Sequence, residues 1–134
     1  MPPALLDTNA VSDLMRDHPQ LTVRVANYPD PITTSVIVLG EIRHGLSRLP
    51  AGKKRTDLEA RAQNVFANVV MEPVLAPIAD AFGQLKASLE AQGLSMNDND
   101  LWIAATALAL GSVLVTRDQD FGRIAGLRVE DWSA

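Results

Sequence analysis

The residues of this chain best equipped for chemistry are acids at the ends of apolar runs. Asp7 closes "PALLD", Glu41 lies within "SVIVLGEIRHGL", Asp98 and Asp100 fall in "NDND" ahead of "LWIAATALAL", and Asp118 and Asp120 follow "SVLVT". Carboxylates from separate segments that converge on one place repel one another and take up protons unless a cation joins them. Oxygen donors of this kind suit Mg²⁺ or Mn²⁺. Such an ion serves phosphate chemistry, because it grips phosphoryl oxygens and lowers the pKa of an attacking water. With no cysteine and only His18 and His44, the chain has no material for a His/Cys zinc site.

Each acid also has a plainer role open to it. Asp7 can begin a turn or cap the helix that follows. Glu41 has Ile37, Val38, His44 and Gly45 as its helical neighbours, so it borders an apolar stripe, where a carboxylate must be paired, protonated or metal-bound. Its plain alternative is a surface pairing with Arg43 or Arg48. If Asn97 is an N-cap, Asp100 stands at the third helical position and complements the helix dipole. That accounts for one acid of the tetrapeptide and leaves the other unexplained. Asp100 shares a face with Ile103, Ala104 and Ala107, the side expected to be buried, whereas Asp98 points elsewhere. Asp118 and Asp120 can be read as solvated loop acids when taken singly.

The elements that must position these groups follow from periodicity. "PALLD", "ITTS", "SVLVTRD" and "LRVED" read as short strands, with "MEPVLAP" as a strand or extended connector. Helices are expected from about Asn9, over 20–27, from the N-cap Ser35 to Leu49, over 52–70, over 77–92 up to Gly93, and from Asn97 to Leu110. Strands separated by helices require crossovers, so the expected class is α/β with a mostly parallel sheet flanked by helices. In such sheets ligands sit beyond the carboxyl ends of strands, where the strand order reverses. Asp7 and Asp118 belong at such ends.

Composition narrows the classes. At 134 residues, 47% of them hydrophobic, the chain has the size of one domain spanning 1–134. The start "MPPALLDTNA" lacks a secretory pattern and no apolar run reaches the ~20 residues of a membrane span, so the expected compartment is the cytoplasm, with no membrane association. The net charge of −4 disfavours broad attraction to nucleic acid, yet six of the twelve Lys and Arg lie between residues 43 and 61. Arg43, Arg48, Lys53, Lys54 and Arg55 therefore form a candidate surface for an RNA backbone, or else a solvated helix face.

Taken in order, "LLDTNAVSDL", "SVIVLGEIRHGL", "NDLWIAATALALG" and "VLVTRDQDF" resemble PIN-domain ribonucleases, in particular the VapC toxins of bacterial type II toxin–antitoxin pairs. The resemblance covers nearly the whole chain and implies a PIN-like three-layer fold. It implies Asp7, Glu41 and Asp100 as the core metal-binding acids and Asp118 as the fourth. Thr8, Asn9 and Thr116 resemble the polar helpers that hold a ligand acid or its water. Many relatives carry Asn after the Thr-Arg pair and a later Asp one residue further on. Here Asp118 directly follows the strand and is the preferred fourth acid, with Asp120 as a helper or surface acid. The resemblance further implies RNA cleavage with Mg²⁺ or Mn²⁺, a cognate antitoxin, and a homodimer.

Two other classes fit less well. Receiver and aspartyl-phosphate phosphatase chemistries need a Lys near the acids, and the phosphatase needs a second Asp two positions after the first, where this chain has Asn9. A PIN-like binding module, acting through its antitoxin in operon autoregulation, would not need all four acids.

Overall fold

The computed structural model describes residues 1–134. Five strands, β1 (Ala4–Leu6), β2 (Ile32–Ser35), β3 (Val70–Glu72), β4 (Val113–Val115) and β5 (Val129–Glu130), form one sheet in the order β3-β2-β1-β4-β5. Every ladder is parallel. Six helices supply the crossovers: α1 (Thr8–Met15), α2 (Pro19–Asn27), α3 (Val36–Ser47), α4 (Lys53–Ala67), α5 (Ala76–Ala91) and α6 (Asp98–Leu110). A 3-10 turn at Gln119–Arg123, which the apolar pattern did not reveal, follows β4.

β1 and β4 are apolar throughout and wholly buried, as strands covered on both faces must be. Val11, Leu21, Val38, Ile103, Ala104 and Phe121 complete the core around them. The small side of α6, with Ala104, Ala105 and Ala107 buried, lets that helix lie close to its neighbours. Gly111 ends α6 at φ 65°, a left-handed conformation that glycine adopts without the Cβ clash.

The C-terminal segment is fastened to the first half of the chain. Trp132 is fully buried, its ring 4.9 Å from that of Tyr28 and under the Arg24 guanidinium, and its indole N–H donates to Glu130. No helix is long and apolar enough to cross a membrane.

The chain lays β1, β2 and β3 outward in one direction and then returns to place β4 and β5 on the other side of β1. The order thus reverses between β1 and β4, and the crevice beyond their carboxyl ends is the expected place for a ligand. Leu6 pairs with Val115 in register, so Asp7 and Thr116 leave the sheet side by side.

Candidate metal and phosphate site

Asp7 is anchored where the two central strands end. Its amide donates to the Val115 carbonyl at 3.2 Å, and its Oδ1 accepts from the Ala10 amide at 2.9 Å, so it caps α1 as well. The cap uses Oδ1, so it does not by itself exclude a further role for this residue. Asp7 is only 3% exposed. Burial pushes its pKa up to about 6, the Thr116 hydroxyl and the Ala10 amide pull it down, and the charges of Asp100 and Asp118 raise it further.

Asp100 reaches the same crevice from the first turn of α6. Asn97 caps that helix, its Oδ1 accepting from the Asn99 and Asp100 amides. This leaves the Asp100 carboxylate without a capping duty, while Ile103, Ala104 and Ala107 on its side of the helix are buried. Its pKa is raised by burial first, then by Glu41, Asp118 and Asp120. Asp98 instead pairs with Lys86 at 3.0 Å on the outside of the molecule. The tetrapeptide thus divides into a cap, an outward ion pair and one acid directed at the crevice.

Glu41 lies half-buried on α3, and its partner is Thr8 on α1, whose hydroxyl donates to Oε1 at 2.5 Å. The pairing with Arg43 or Arg48 open to it from sequence does not form; both arginines are exposed. Thr8, next to Asp7 in the chain, thus holds Glu41, while Thr116, beside Asp7 at the sheet end, lowers its pKa. The Thr116 oxygen also accepts from the Asp118 amide at 3.0 Å, which fixes the start of the loop after β4. Asn9 Oδ1 is buried without a hydrogen-bond partner. A buried amide oxygen left unpaired is uncommon, and beside these carboxylates it is one more oxygen free to accept from a water or face a cation.

The two acids of "TRDQDF" separate by geometry. Asp118 is half-buried, caps the 3-10 turn by accepting from the Asp120 amide, and its charge acts on both Asp7 and Asp100. Asp120 is exposed and its charge acts on Asp100 but not among those that shift Asp7. Asp118 is therefore the acid more tightly coupled to the buried carboxylate. No three of these acids are drawn close enough to enclose an ion as they stand, so a cation would have to pull them inward. The donor set, all oxygen with no thiolate or imidazole, fits a hard divalent ion.

Next to Thr8, Asn9 and Glu41 opens a cleft of about 430 Å³ between α1, α3 and α4. Its floor is apolar, from Met15, Ile42 and Leu46, and Arg16 and Arg117 stand in its wall. Neither arginine was singled out by sequence reading. A shallower notch lined by Lys53 and Lys54 shares Arg16 and Leu58 with this cleft. Of the five basic residues proposed for RNA, only these two lysines line that notch, and none lines the cleft itself. Arg55 is taken up by Glu59 at 3.3 Å and the Leu49 carbonyl at 3.4 Å.

The chain resembles known proteins along nearly its whole length. The plasmid stability protein StbB of Pseudomonas syringae is 35% identical over 97% of this chain and 99% of its own length. The VapC ribonuclease Y4jK of Sinorhizobium fredii is 33% identical over 93% of this chain and 94% of its own. A crystal structure of DNA-bound VapBC from Salmonella typhimurium superposes with a TM-score of 0.86 at 27% identity, covering 98% of this chain and 99% of the other. Residues 4–127 match the PIN domain. The chain belongs to the PIN domain family, and within it to the VapC group.

Proposed function

We propose that this protein is a metal-dependent ribonuclease that hydrolyses RNA phosphodiester bonds and acts as the toxin of a toxin–antitoxin pair, its 134 residues working as one PIN-like domain. The observation that carries the reading is the buried Asp7 at the strand-order reversal, with Asp100 and Asp118 close enough to raise its pKa. Acids held at that spot oppose folding unless a cation, or a proton, is there to receive them.

Asp7, Glu41, Asp100 and Asp118 are the residues that would hold Mg²⁺ or Mn²⁺. When bound, such an ion neutralises charge on the scissile phosphate and lowers the pKa of the attacking water. The remaining parts belong to the chain. Thr8 fixes the Glu41 carboxylate and the Thr116 hydroxyl favours the ionised form of Asp7, so two of the acids are held at the crevice and a cation would complete the approach of the others. Asp120, exposed at the mouth, adds negative charge that helps retain a cation rather than a direct contact.

The partner follows from the same relatives. Several solved neighbours are VapBC complexes, among them VapBC-1 from nontypeable Haemophilus influenzae. A protein antitoxin that brings a basic side chain to the acids would neutralise them in the cation's place. The protein acts in the cytoplasm and associates as a homodimer on this reading.

The test uses the purified chain and a single-stranded RNA. Cleavage should require Mg²⁺ or Mn²⁺, stop with EDTA, and disappear in Asp7→Asn; metal-independent cutting, or an active Asp7→Asn, refutes the mechanism. The DNA-bound VapBC neighbours favour a second role, operon binding through the antitoxin. Expression of the chain alone separates the two. Growth arrest abolished by Asp100→Ala assigns the effect to catalysis, and equal effects of both forms assign it to binding.

A further inference from the structure

We propose that Arg16 and Arg117 form a phosphate clamp at the mouth of the acidic site, positioning the RNA backbone on the side that leads to Lys53 and Lys54. The proposal rests on the ribonuclease reading for its substrate and on this structure for its residues. An RNA strand approaching Asp7, Glu41, Asp100 and Asp118 meets a concentration of negative charge. A cation between the acids offsets it at the scissile phosphate, whereas the next phosphates need positive groups of the protein.

The two arginines are built for that position. Arg117 lies between Thr116 and Asp118, two residues that organise the site, and it lines the same cleft as Thr8, Asn9 and Glu41. Its Nε donates to Asp13 Oδ2 at 3.1 Å, and its two terminal nitrogens make no hydrogen bond to the protein. The side chain is 55% exposed while Asp13 is only 18% exposed, so the carboxylate acts as a hinge post for a largely solvent-accessible guanidinium, which also feels the charge of Asp131 without bonding to it. Arg16 enters the cleft from the end of α1 and is held through Nη1 by the carbonyl and hydroxyl of Ser12. Adjacent residues of one helix, Ser12 and Asp13, thus orient both guanidinium groups.

A guanidinium held by one edge keeps its other donors for a bidentate contact with phosphate. Orientation in advance reduces the rotamer entropy lost on binding. Beyond Arg16 the wall continues to Lys53 and Lys54, which form no ion pair with the protein; with Arg16 these three cations outnumber the single carboxylate of the notch, Asp57, and give the backbone a net basic path.

The experiment measures cleavage of a 12-nucleotide single-stranded RNA in Mn²⁺ over a series of KCl concentrations. It is paired with fluorescence-anisotropy binding of the same labelled RNA to chains carrying the inactivating Asp7→Asn. Arg117→Ala and Arg16→Ala should each raise KM and the anisotropy Kd about 10-fold with little change in kcat, the loss of one charge-assisted contact. Each should also lower the log–log salt slope by about 0.7, one single-strand phosphate. Arg117→Lys should keep the salt slope but recover only part of the affinity. Asp13→Asn should lower thermal stability as Arg117→Ala does, yet retain RNA affinity.

Unchanged KM, Kd and salt slope in both arginine variants, with active wild type, overturn the clamp and leave an ordinary surface ion pair. Poly-glutamate binding that depends on Arg16 and Arg117 when RNA binding does not would assign them to an acidic protein segment and overturn it equally. Wild type that fails to cut RNA removes the ribonuclease reading, and anisotropy alone then decides the clamp.

Discussion

Replacing Asp7 by Asn should stabilise the metal-free protein at neutral pH while removing its activity. Burial, reinforced by Asp100 and Asp118, lifts the Asp7 pKa from 3.8 to about 6. A carboxyl whose folded-state pKa lies above its unfolded value holds its proton more tightly in the folded chain. Its contribution to stability is complete below about pH 4 and is lost as pH rises through about 6. A shift of about two pH units at ~1.4 kcal/mol each makes ionised Asp7 a cost of about 3 kcal/mol above pH 7. Asn keeps the cap, because its side-chain oxygen can still accept from the Ala10 amide. The attraction of the Asp7 charge to the start of α1 is already contained in that net shift, so the expected gain is about 3 kcal/mol. For a chain of this size that corresponds to a Tm rise of roughly 10 °C. Calorimetry in EDTA at pH 4, 5.5 and 7.5 should show the two proteins converging at pH 4 and separating as pH rises. Adding Mn²⁺ at pH 7.5 should raise the Tm of wild type and leave that of Asp7→Asn nearly unmoved. If Asp7→Asn melts at or below wild type in EDTA at pH 7.5, or the gap ignores pH, the picture of a strained, cation-seeking carboxylate is wrong.

Three further outcomes follow from the same geometry. Thr8→Val keeps the side-chain shape but removes the hydroxyl that holds Glu41; Mn²⁺ affinity by isothermal titration should fall about 10-fold or more, with circular dichroism unchanged. Lys53→Ala combined with Lys54→Ala should reduce the salt slope of RNA binding by about 1.4, whereas Arg55→Ala, whose guanidinium is engaged by Glu59 and Leu49, should leave it unaltered. Trp132→Ala removes a buried ring that ties the C-terminal segment to Tyr28 and Arg24, so urea denaturation should report a loss of about 3–5 kcal/mol.

The acids were legible because each signal is local. Strand ends announce Asp7 and Asp118, and the 3.6-residue period separates Asp100 from Asp98, which the structure does send outward to Lys86. Four strands and six helices lie close to where the apolar pattern sets them; the exception is β3, left open as strand or connector, which begins at Val70, inside the stretch read as the end of the preceding helix. What sequence leaves open is the choice of partner across the fold. Glu41 could pair with arginines on its own helix, and only the packing of α1 against α3 brings Thr8, 33 positions away, to its carboxylate. The contact from Arg117 to Asp13 spans 104 positions and joins a strand end to a helix face. The basic segment likewise reads as uniform along the chain, and the fold divides it into lysines that line the notch beside the cleft and an arginine engaged by Glu59 and the Leu49 carbonyl.

Asp118 and Asp120, ambiguous by spacing, differ in burial and in charge coupling once folded. In "TRDQDF" both carboxylates are near enough to the strand for either to serve, and periodicity cannot rank them because a 3-10 turn, not a strand or an α-helix, carries them. The Thr116 hydroxyl accepts from the Asp118 amide, and Asp118 is half-buried where Asp120 is exposed, which favours Asp118 for the proposed role. Charge coupling then follows distance: Asp118 acts on Asp7 and Asp100 together, Asp120 on Asp100 only. Asp118→Asn should therefore lower the Asp7 pKa and narrow the pH-dependent stability gap in EDTA, and Asp120→Asn should leave the gap at its wild-type size. NMR titration of the Asp7 carboxyl carbon in the two variants measures this directly, and an equal or larger shift in Asp120→Asn would transfer the role of fourth acid to that residue.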